Sequence, residues 1–318
     1  MSSWRRRLAA PTTAVLLGLA ALTACSVAEG DGLTEESTAP DGVVPSPVTP
    51  GPATFGPAGP AGPASPGDGL SYVALGDSYA AAPGVPETDV AGGCFRSDSN
   101  YAHVLAEAAD LTLVDVTCSG ATSDDVIADQ VPSLSPDTDL VTVGTGGNDL
   151  GLFIRVLTGC LTPPDGGSAA PDGSDISAGS RCAQVVREEI EPASAEIQAK
   201  MGAVLDAITA AAPDAEVYVV GYPALLPAQG TCPDVVPIAA ADYPLVAGVT
   251  RALSESLREE AEARDLPFVD VLAASRGHDL CSDDPWVNGA ELAADGTLPF
   301  HPLAVEQVAI ATLIGDML

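Results

Sequence analysis

Four short segments of the chain hold residue types that can act together in covalent chemistry. Gly76-Asp77-Ser78-Tyr79 presents a serine in a glycine-led turn. Cys118-Ser119-Gly120-Ala121-Thr122 presents a glycine among small residues. Gly144-Thr145-Gly146-Gly147-Asn148-Asp149 presents an asparagine behind a run of glycines, and Phe300-His301-Pro302 a histidine just before a proline. A hydroxyl, an imidazole and neutral N–H donors are the parts that acyl transfer requires: a nucleophile, a base to take its proton, and partners for the oxyanion that forms. Each segment alone has a plainer reading. Ser78 is a plausible helix N-cap, Gly120 a turn glycine, Asn148 and Asp149 turn or cap residues, and His301-Pro302 a helix start.

The elements around these segments decide between the readings. Tyr72-Val73-Ala74-Leu75 is a short apolar run ending at Gly76, as in a buried strand that feeds a turn. Similar runs occupy 111–116, 139–144, 216–221 and 267–271. Helical patterns fall between them, at about 99–109, 122–129, 185–212, 241–264 and 303–317. The clearest carries Ile190, Ile197, Met201, Val204, Leu205 and Ile208 at helical spacing. Strands alternating with helices predict an α/β fold, a three-layer α/β/α sandwich around a central parallel sheet. Such sheets bind ligands beyond the carboxyl ends of their strands. The first three segments follow the first three strands at that edge, and the fourth opens the last helix.

In this order and spacing, the four segments resemble the conserved blocks of the SGNH (GDSL-type) hydrolase family. The resemblance covers essentially all of 70–318 and is greatest to the extracellular actinomycete lipases and esterases of that family, which carry three disulfides. Cys94-Phe95-Arg96-Ser97 with Asn100-Tyr101, and Gly277-His278-Asp279-Leu280-Cys281 through Pro285-Trp286-Val287, extend it. It implies a flavodoxin-like sheet and a serine ester hydrolase that forms an acyl-serine and needs no cofactor. Ser78 is then the nucleophile and His301 its base. The Ser78 and Gly120 N–H groups and the Asn148 side chain make the oxyanion hole. The family pattern places an aspartate three residues before the histidine, where this chain has Leu298. Two groups remain to orient His301: the Leu298 backbone carbonyl, as in a dyad, or the carboxylate of Asp295. Among the other candidates, Asp149 is expected to be a structural cap, His103 a packing residue and His278 a loop partner near Cys281. Trp286 and Phe300 suit either the acyl pocket or the core.

Seven cysteines bound the compartment. Cys25 ends Leu22-Thr23-Ala24-Cys25, which follows Arg5, Arg6, Arg7 and an apolar run, and looks like a bacterial lipobox. Residues 1–24 are therefore expected to be a lipoprotein-type signal peptide, with Cys25 lipidated. Residues 25–69, rich in Pro, Gly, Ser and Thr, are expected to be a disordered tether, and 70–318 the hydrolase domain. Six cysteines remain, an even set that reads as disulfides in an exported chain. Pairing nearest neighbours is simplest: Cys94 with Cys118, Cys160 with Cys182, Cys232 with Cys281. No C-x-x-C pair occurs and no histidine lies at zinc-ligand spacing, which disfavours a metal.

With 44 acidic against 12 basic residues the net charge is −32, and Lys200 is the only lysine. Such a surface repels nucleic acid. No G-x-S-x-G elbow, P-loop or dinucleotide fingerprint occurs. The expected protein is a monomer on the outer face of the membrane, held by its N-terminal lipid, or secreted. It acts on lipid acyl esters or short-chain esters. A polysaccharide acetylesterase and a non-catalytic surface-binding lipoprotein are the alternatives.

Overall fold

The computed structural model describes residues 69–161 and 180–318. The expected signal peptide, the Cys25 lipidation site and nearly all of the tether lie outside the described residues. Seven strands and nine α-helices follow in chain order among them: β1 Ser71–Gly76, α1 Ser78–Ala81, β2 Thr88–Asp89, β3 Arg96–Ser97, α2 Tyr101–Ala109, β4 Thr112–Asp115, α3 Ser123–Asp125, β5 Leu140–Gly144, α4 Leu152–Cys160, α5 Arg181–Val185, α6 Glu191–Ala211, β6 Glu216–Val220, α7 Tyr243–Glu262, β7 Phe268–Val269, α8 Val271–Ala274 and α9 Ala304–Gly315. Strands β2 and β3 form a small antiparallel ribbon.

The five remaining strands make one parallel sheet in the order β4-β1-β5-β6-β7. Alternate side chains of each strand serve opposite faces. Tyr72 and Ala74 of β1 pack with Tyr101 and Leu105 of α2 and Ile310 and Ile314 of α9. Val73 and Leu75 pack with Met201 and Leu205 of α6 and Leu253 and Leu257 of α7. The strands are therefore apolar on both sides, as their short continuous apolar runs predict, and the architecture is the expected three-layer sandwich.

Chain order reverses between β1 and β5. The sheet runs outward to β4 on one side and to β6 and β7 on the other, so the connections leave β1 and β5 toward opposite faces. The crevice beyond their carboxyl ends is the topological switch point, where open α/β sheets place ligands. Ser78 follows β1 and Asn148 follows β5, so both stand at that crevice.

The disulfides are Cys94–Cys118, Cys160–Cys182 and Cys232–Cys281, the nearest-neighbour set. Each closes a loop of 22 to 49 residues and stabilises by about 3–4 kcal/mol on the chain-entropy model.

Helix α9 carries one local conflict. Glu306, in its first turn, is fully buried. One carboxyl oxygen has no hydrogen-bond partner among the described residues, and the other accepts from Gln307 Nε2 at 3.4 Å. Burial holds this carboxyl well above the ordinary glutamate value of 4.5, opposed only by the Gln307 contact. The folded chain therefore binds this proton where the unfolded chain has released it, and stability falls as pH rises from about 4.5 through the folded value. Glu306→Gln should raise Tm by a few degrees at pH 8 and much less at pH 4. An equal change at both pH values in thermal melts would exclude the buried carboxyl as its cause.

Candidate active site

The site is built where β1 and β5 end side by side. Gly76 pairs in register with Gly144, and the Asp77 N–H donates to the Gly144 carbonyl at 3.0 Å. A β-carbon at Gly76, where φ is +144°, would lie 2.6 Å from the Gly144 oxygen and 2.8 Å from Ala80 Cβ, so only glycine permits the approach. Beyond α3 the chain makes a π-helical turn, Val126–Gln130, which delivers Gln130 to the same point. Its buried side-chain amide accepts from the Gly76 N–H at 2.8 Å and donates to the Gly76 carbonyl at 3.0 Å. Asp77 then caps α1 by accepting from the Tyr79 N–H at 2.9 Å. Ser78 stands at the first position of that helix, buried except toward the crevice.

The second segment is carried alongside by the β1–β4 ladder, which continues past β4 with Cys118 N–H donating to the Gly76 carbonyl at 3.0 Å. The bridge to Cys94 and a bond from Ser119 N–H to the Cys94 carbonyl, 2.9 Å, anchor it from the other side. Gly120 has φ +85°, the left-handed region open to glycine. Among the described residues neither the Ser78 nor the Gly120 N–H is paired with a protein acceptor. Asn148 Nδ2 donates to the Ala121 carbonyl at 3.0 Å. That contact uses one of its two amide hydrogens and ties the asparagine to the loop of Gly120. Asp149 accepts from both the N–H and the hydroxyl of Ser123, at 2.8 and 2.5 Å. It is the structural residue expected, but its work is to pin the β5 loop to the start of α3.

His301 arrives from the C-terminal loop, positioned by a bridge between Val287 and Pro302 and by Asn288 N–H donating to the His301 carbonyl at 2.8 Å. Its ring lies near parallel to that of Tyr79, with centroids 6.0 Å apart. The orienting group differs from both expectations. His301 Nδ1 is 2.8 Å from the carbonyl oxygen of Pro299. The Leu298 carbonyl is taken by Asn288 Nδ2 at 3.1 Å and by the His301 backbone N–H at 3.3 Å, and Asp295 accepts from the Thr297 N–H in a local turn. The reason is backbone geometry: Phe300 has φ +59°, which turns the ring back over the carbonyl two residues earlier. A carbonyl only accepts, so Nδ1 carries the proton and Nε2 keeps its lone pair. Burial lowers the pKa of His301 from its ordinary 6.5, and the Pro299 contact offsets part of that. No hydrogen bond joins Ser78 Oγ to His301 among the described residues. Such contacts are commonly long in ligand-free enzymes.

Ser78, Asn148 and His301 all line one cavity of ≈ 200 Å³, whose remaining wall is mainly apolar and includes Phe153, Val156, Leu157, Leu226, Ile238 and Phe300. Phe300 thus belongs to the cavity. Trp286 is buried outside it and stacks on His278 at 4.7 Å. His278 Nδ1 contacts the Asp284 carbonyl at 2.9 Å, the loop role expected. His103 lies in α2 beside Asn100 and Asp115. Tyr222 joins the site without any motif in its sequence. It follows β6, is 2% exposed, donates its hydroxyl to Asp77 and accepts from the Gly147 N–H at 2.9 Å. A tyrosine after a strand carries no motif; the only signal was its place at the same sheet edge.

Comparison with known proteins bears on the fold and the family. The model of the GDSL-like Lipase/Acylhydrolase family matches residues 74–304. Lipase 2 of Streptomyces coelicolor is 35% identical over 263 residues, spanning 78% of this chain and 86% of that protein. The crystal structure of phospholipase A1 from Streptomyces albidoflavus NA297 superposes with a TM-score of 0.67 at 27% identity, over 78% of this chain and 99% of that one. That of the extracellular lipase from Streptomyces rimosus gives 0.66 at 28%, with the same coverage.

The Asp149–Ser123 tie can be tested by stability alone. Asp149→Ala leaves a buried N–H and hydroxyl unpaired and should cost about 2–3 kcal/mol. A loss below about 0.5 kcal/mol in urea unfolding would show that the two loops do not depend on it.

Proposed function

The chain belongs to the GDSL-like Lipase/Acylhydrolase family and is a carboxylic ester hydrolase, and from that premise we propose that it is an exported lipase or esterase working through an acyl-Ser78 intermediate. The observation that carries the proposal is the convergence of Ser78, Asn148 and His301 on one apolar cavity. Ser78 Oγ attacks the ester carbonyl while His301 Nε2 takes its proton. The oxyanion is held by the Ser78 and Gly120 N–H groups and the free Asn148 amide hydrogen. His301 then returns the proton to the leaving alcohol, and water releases the acyl group by the reverse sequence. All the oxyanion donors are neutral, and none is engaged elsewhere in a way that blocks this use.

The cavity wall supports an acyl chain as the group bound beside Ser78, as does the likeness to lipases and a phospholipase A1. An acetylated sugar would leave that apolar wall unused. Three disulfides support export. The lipobox-like Leu22-Thr23-Ala24-Cys25 supports a lipid anchor at Cys25, and the Pro-rich segment after it a tether.

Hydrolysis of p-nitrophenyl esters from acetyl to palmitoyl by the oxidised chain should favour acyl groups longer than acetyl and disappear in Ser78→Ala. Asn148→Ala should lower kcat by about 10²–10³. A folded protein without turnover on any of these esters, or a fully active Ser78→Ala, would sink the proposal. Protonated His301 is inactive as a base, and burial favours its neutral form. The acid limb of kcat/KM should therefore have its midpoint below the ordinary histidine value of 6.5; a midpoint above it would contradict the desolvated base.

A further inference from the structure

The single hydroxyl of Tyr222 touches two of the loops that must act together. It donates to one carboxyl oxygen of Asp77, the residue before Ser78. It accepts from the N–H of Gly147, the residue before Asn148, at 2.9 Å. The other oxygen of Asp77 takes the N–H of Tyr79, the residue after Ser78, at 2.9 Å, so this carboxyl links the backbone just after the nucleophile to Tyr222. Its main-chain carbonyl belongs to the same peptide unit as the Ser78 N–H and is fixed by the N–H groups of Ala80 and Ala81 at 3.1 and 2.9 Å.

On the β5 side the contact is equally constrained. A β-carbon at Gly147 would meet Phe153 Cε2 at 2.2 Å and the Tyr222 hydroxyl at 3.1 Å, so the backbone reaches the hydroxyl only because residue 147 is glycine. The Tyr222 ring is wedged edge-to-face between Tyr79, at 5.2 Å and 75°, and Phe153, at 5.6 Å and 80°. Packing therefore fixes where the hydroxyl stands, and the hydroxyl fixes how far apart the two loops stand.

We propose that Tyr222 is a positioning residue that sets the spacing between the Ser78 N–H and the Asn148 amide, and so assembles the oxyanion hole. This rests on the serine hydrolase reading above. Tyr222 touches neither the substrate carbonyl nor the reacting atoms. It acts through Asp77 and Gly147. Burial holds its hydroxyl well above the ordinary tyrosine value, so it remains a donor across the working pH range.

The experiment is Tyr222→Phe, which keeps the wedged ring and removes only the bridge, measured on a short-chain p-nitrophenyl ester alone and in an Asn148→Ala background. A positioning residue should lower kcat about tenfold or more with KM little changed, because donors aimed at the oxyanion act in the transition state and not on the ground-state ester. With Asn148 already truncated, the same substitution should cost about threefold or less, since the two changes remove one shared effect. A kcat within about twofold of the parent, or an equal loss in both backgrounds, would overturn the proposal. A merely structural role predicts a lower Tm and that equal loss, so thermal melts accompany the kinetics. Should Tyr222→Phe fail to fold, Asp77→Asn, which weakens the acceptor for the same hydroxyl, carries the same expectations. Ser78→Ala keeps the two ideas apart: if it is inactive while Tyr222→Phe is fully active, only the positioning role falls.

Discussion

Everything at the site depends on how closely β1 and β5 approach at their carboxyl ends. Strands β1 and β5 pair in parallel with Gly76 in register with Gly144, so the strand ends face each other without side chains. That approach lets the Asp77 N–H reach the Gly144 carbonyl, and Ser78 and Asn148 follow on the turns of these neighbouring strands. Groups outside the strands then hold each loop, and one of them joins the two. Gln130 clasps Gly76, Ser123 holds Asp149, and Tyr222 joins Asp77 to Gly147. Loops positioned by a rigid scaffold are the usual seat of catalysis. In this protein the rigidity comes from buried side-chain hydrogen bonds as much as from the sheet.

Charge makes that rigidity necessary. The chain carries −32, and the residues lining the cavity include no lysine or arginine. On the proposed mechanism an oxyanion formed at Ser78 would therefore be stabilised by neutral dipoles, whose field falls off quickly and which must point at one place. Two acids stand close by, and each is occupied. Asp149 spends both oxygens on Ser123. Asp77 is bound by Tyr222 and Tyr79, and burial pushes it up to about 7 against those bonds. The raised value weakens the negative charge beside Ser78 at neutral pH, where an ionised Asp77 would repel the oxyanion of the proposed mechanism.

Much of this was legible in the amino-acid order, because short apolar runs ending in glycine announce parallel strands and the polar residues after them announce the ligand edge. The layers and the strands of the parallel sheet follow from such local signals, whereas the disulfide pairs are only the simplest of several choices and the grouping of Ser78, Asn148 and His301 rests also on the family resemblance. What escaped depends on geometry that no local pattern encodes. Pro299, rather than Leu298 or Asp295, faces the imidazole because Phe300 adopts a positive φ that an aromatic residue rarely accepts. Gln130 reaches Gly76 through a π-helical turn whose sequence reads as ordinary helix. Tyr222 gains its role from the strand beside β5, at a distance of 75 residues from Gly147 along the chain.

The Pro299 contact has a consequence for how the work of catalysis is divided. A carboxylate behind the histidine fixes the tautomer and also stabilises the imidazolium that forms when the serine proton is taken. A carbonyl fixes the tautomer equally well but offers only a dipole to that cation, and burial of His301 opposes the charged form further. On the proposed mechanism the base would accordingly be weaker than in a carboxylate-backed triad, and proton transfer from Ser78 less favourable. The energy that a third charged residue would supply has to come from the other side of the reaction, where the attacking oxygen's charge is delivered to the carbonyl. A chain that gives up the carboxylate leans harder on the alignment of its oxyanion donors. The Tyr222 bridge between the β1 and β5 loops, with Gln130 and Ser123 holding each loop from other elements, fits the demand that the proposed mechanism makes, since a small misplacement of one donor would remove stabilisation that no charge behind His301 could restore.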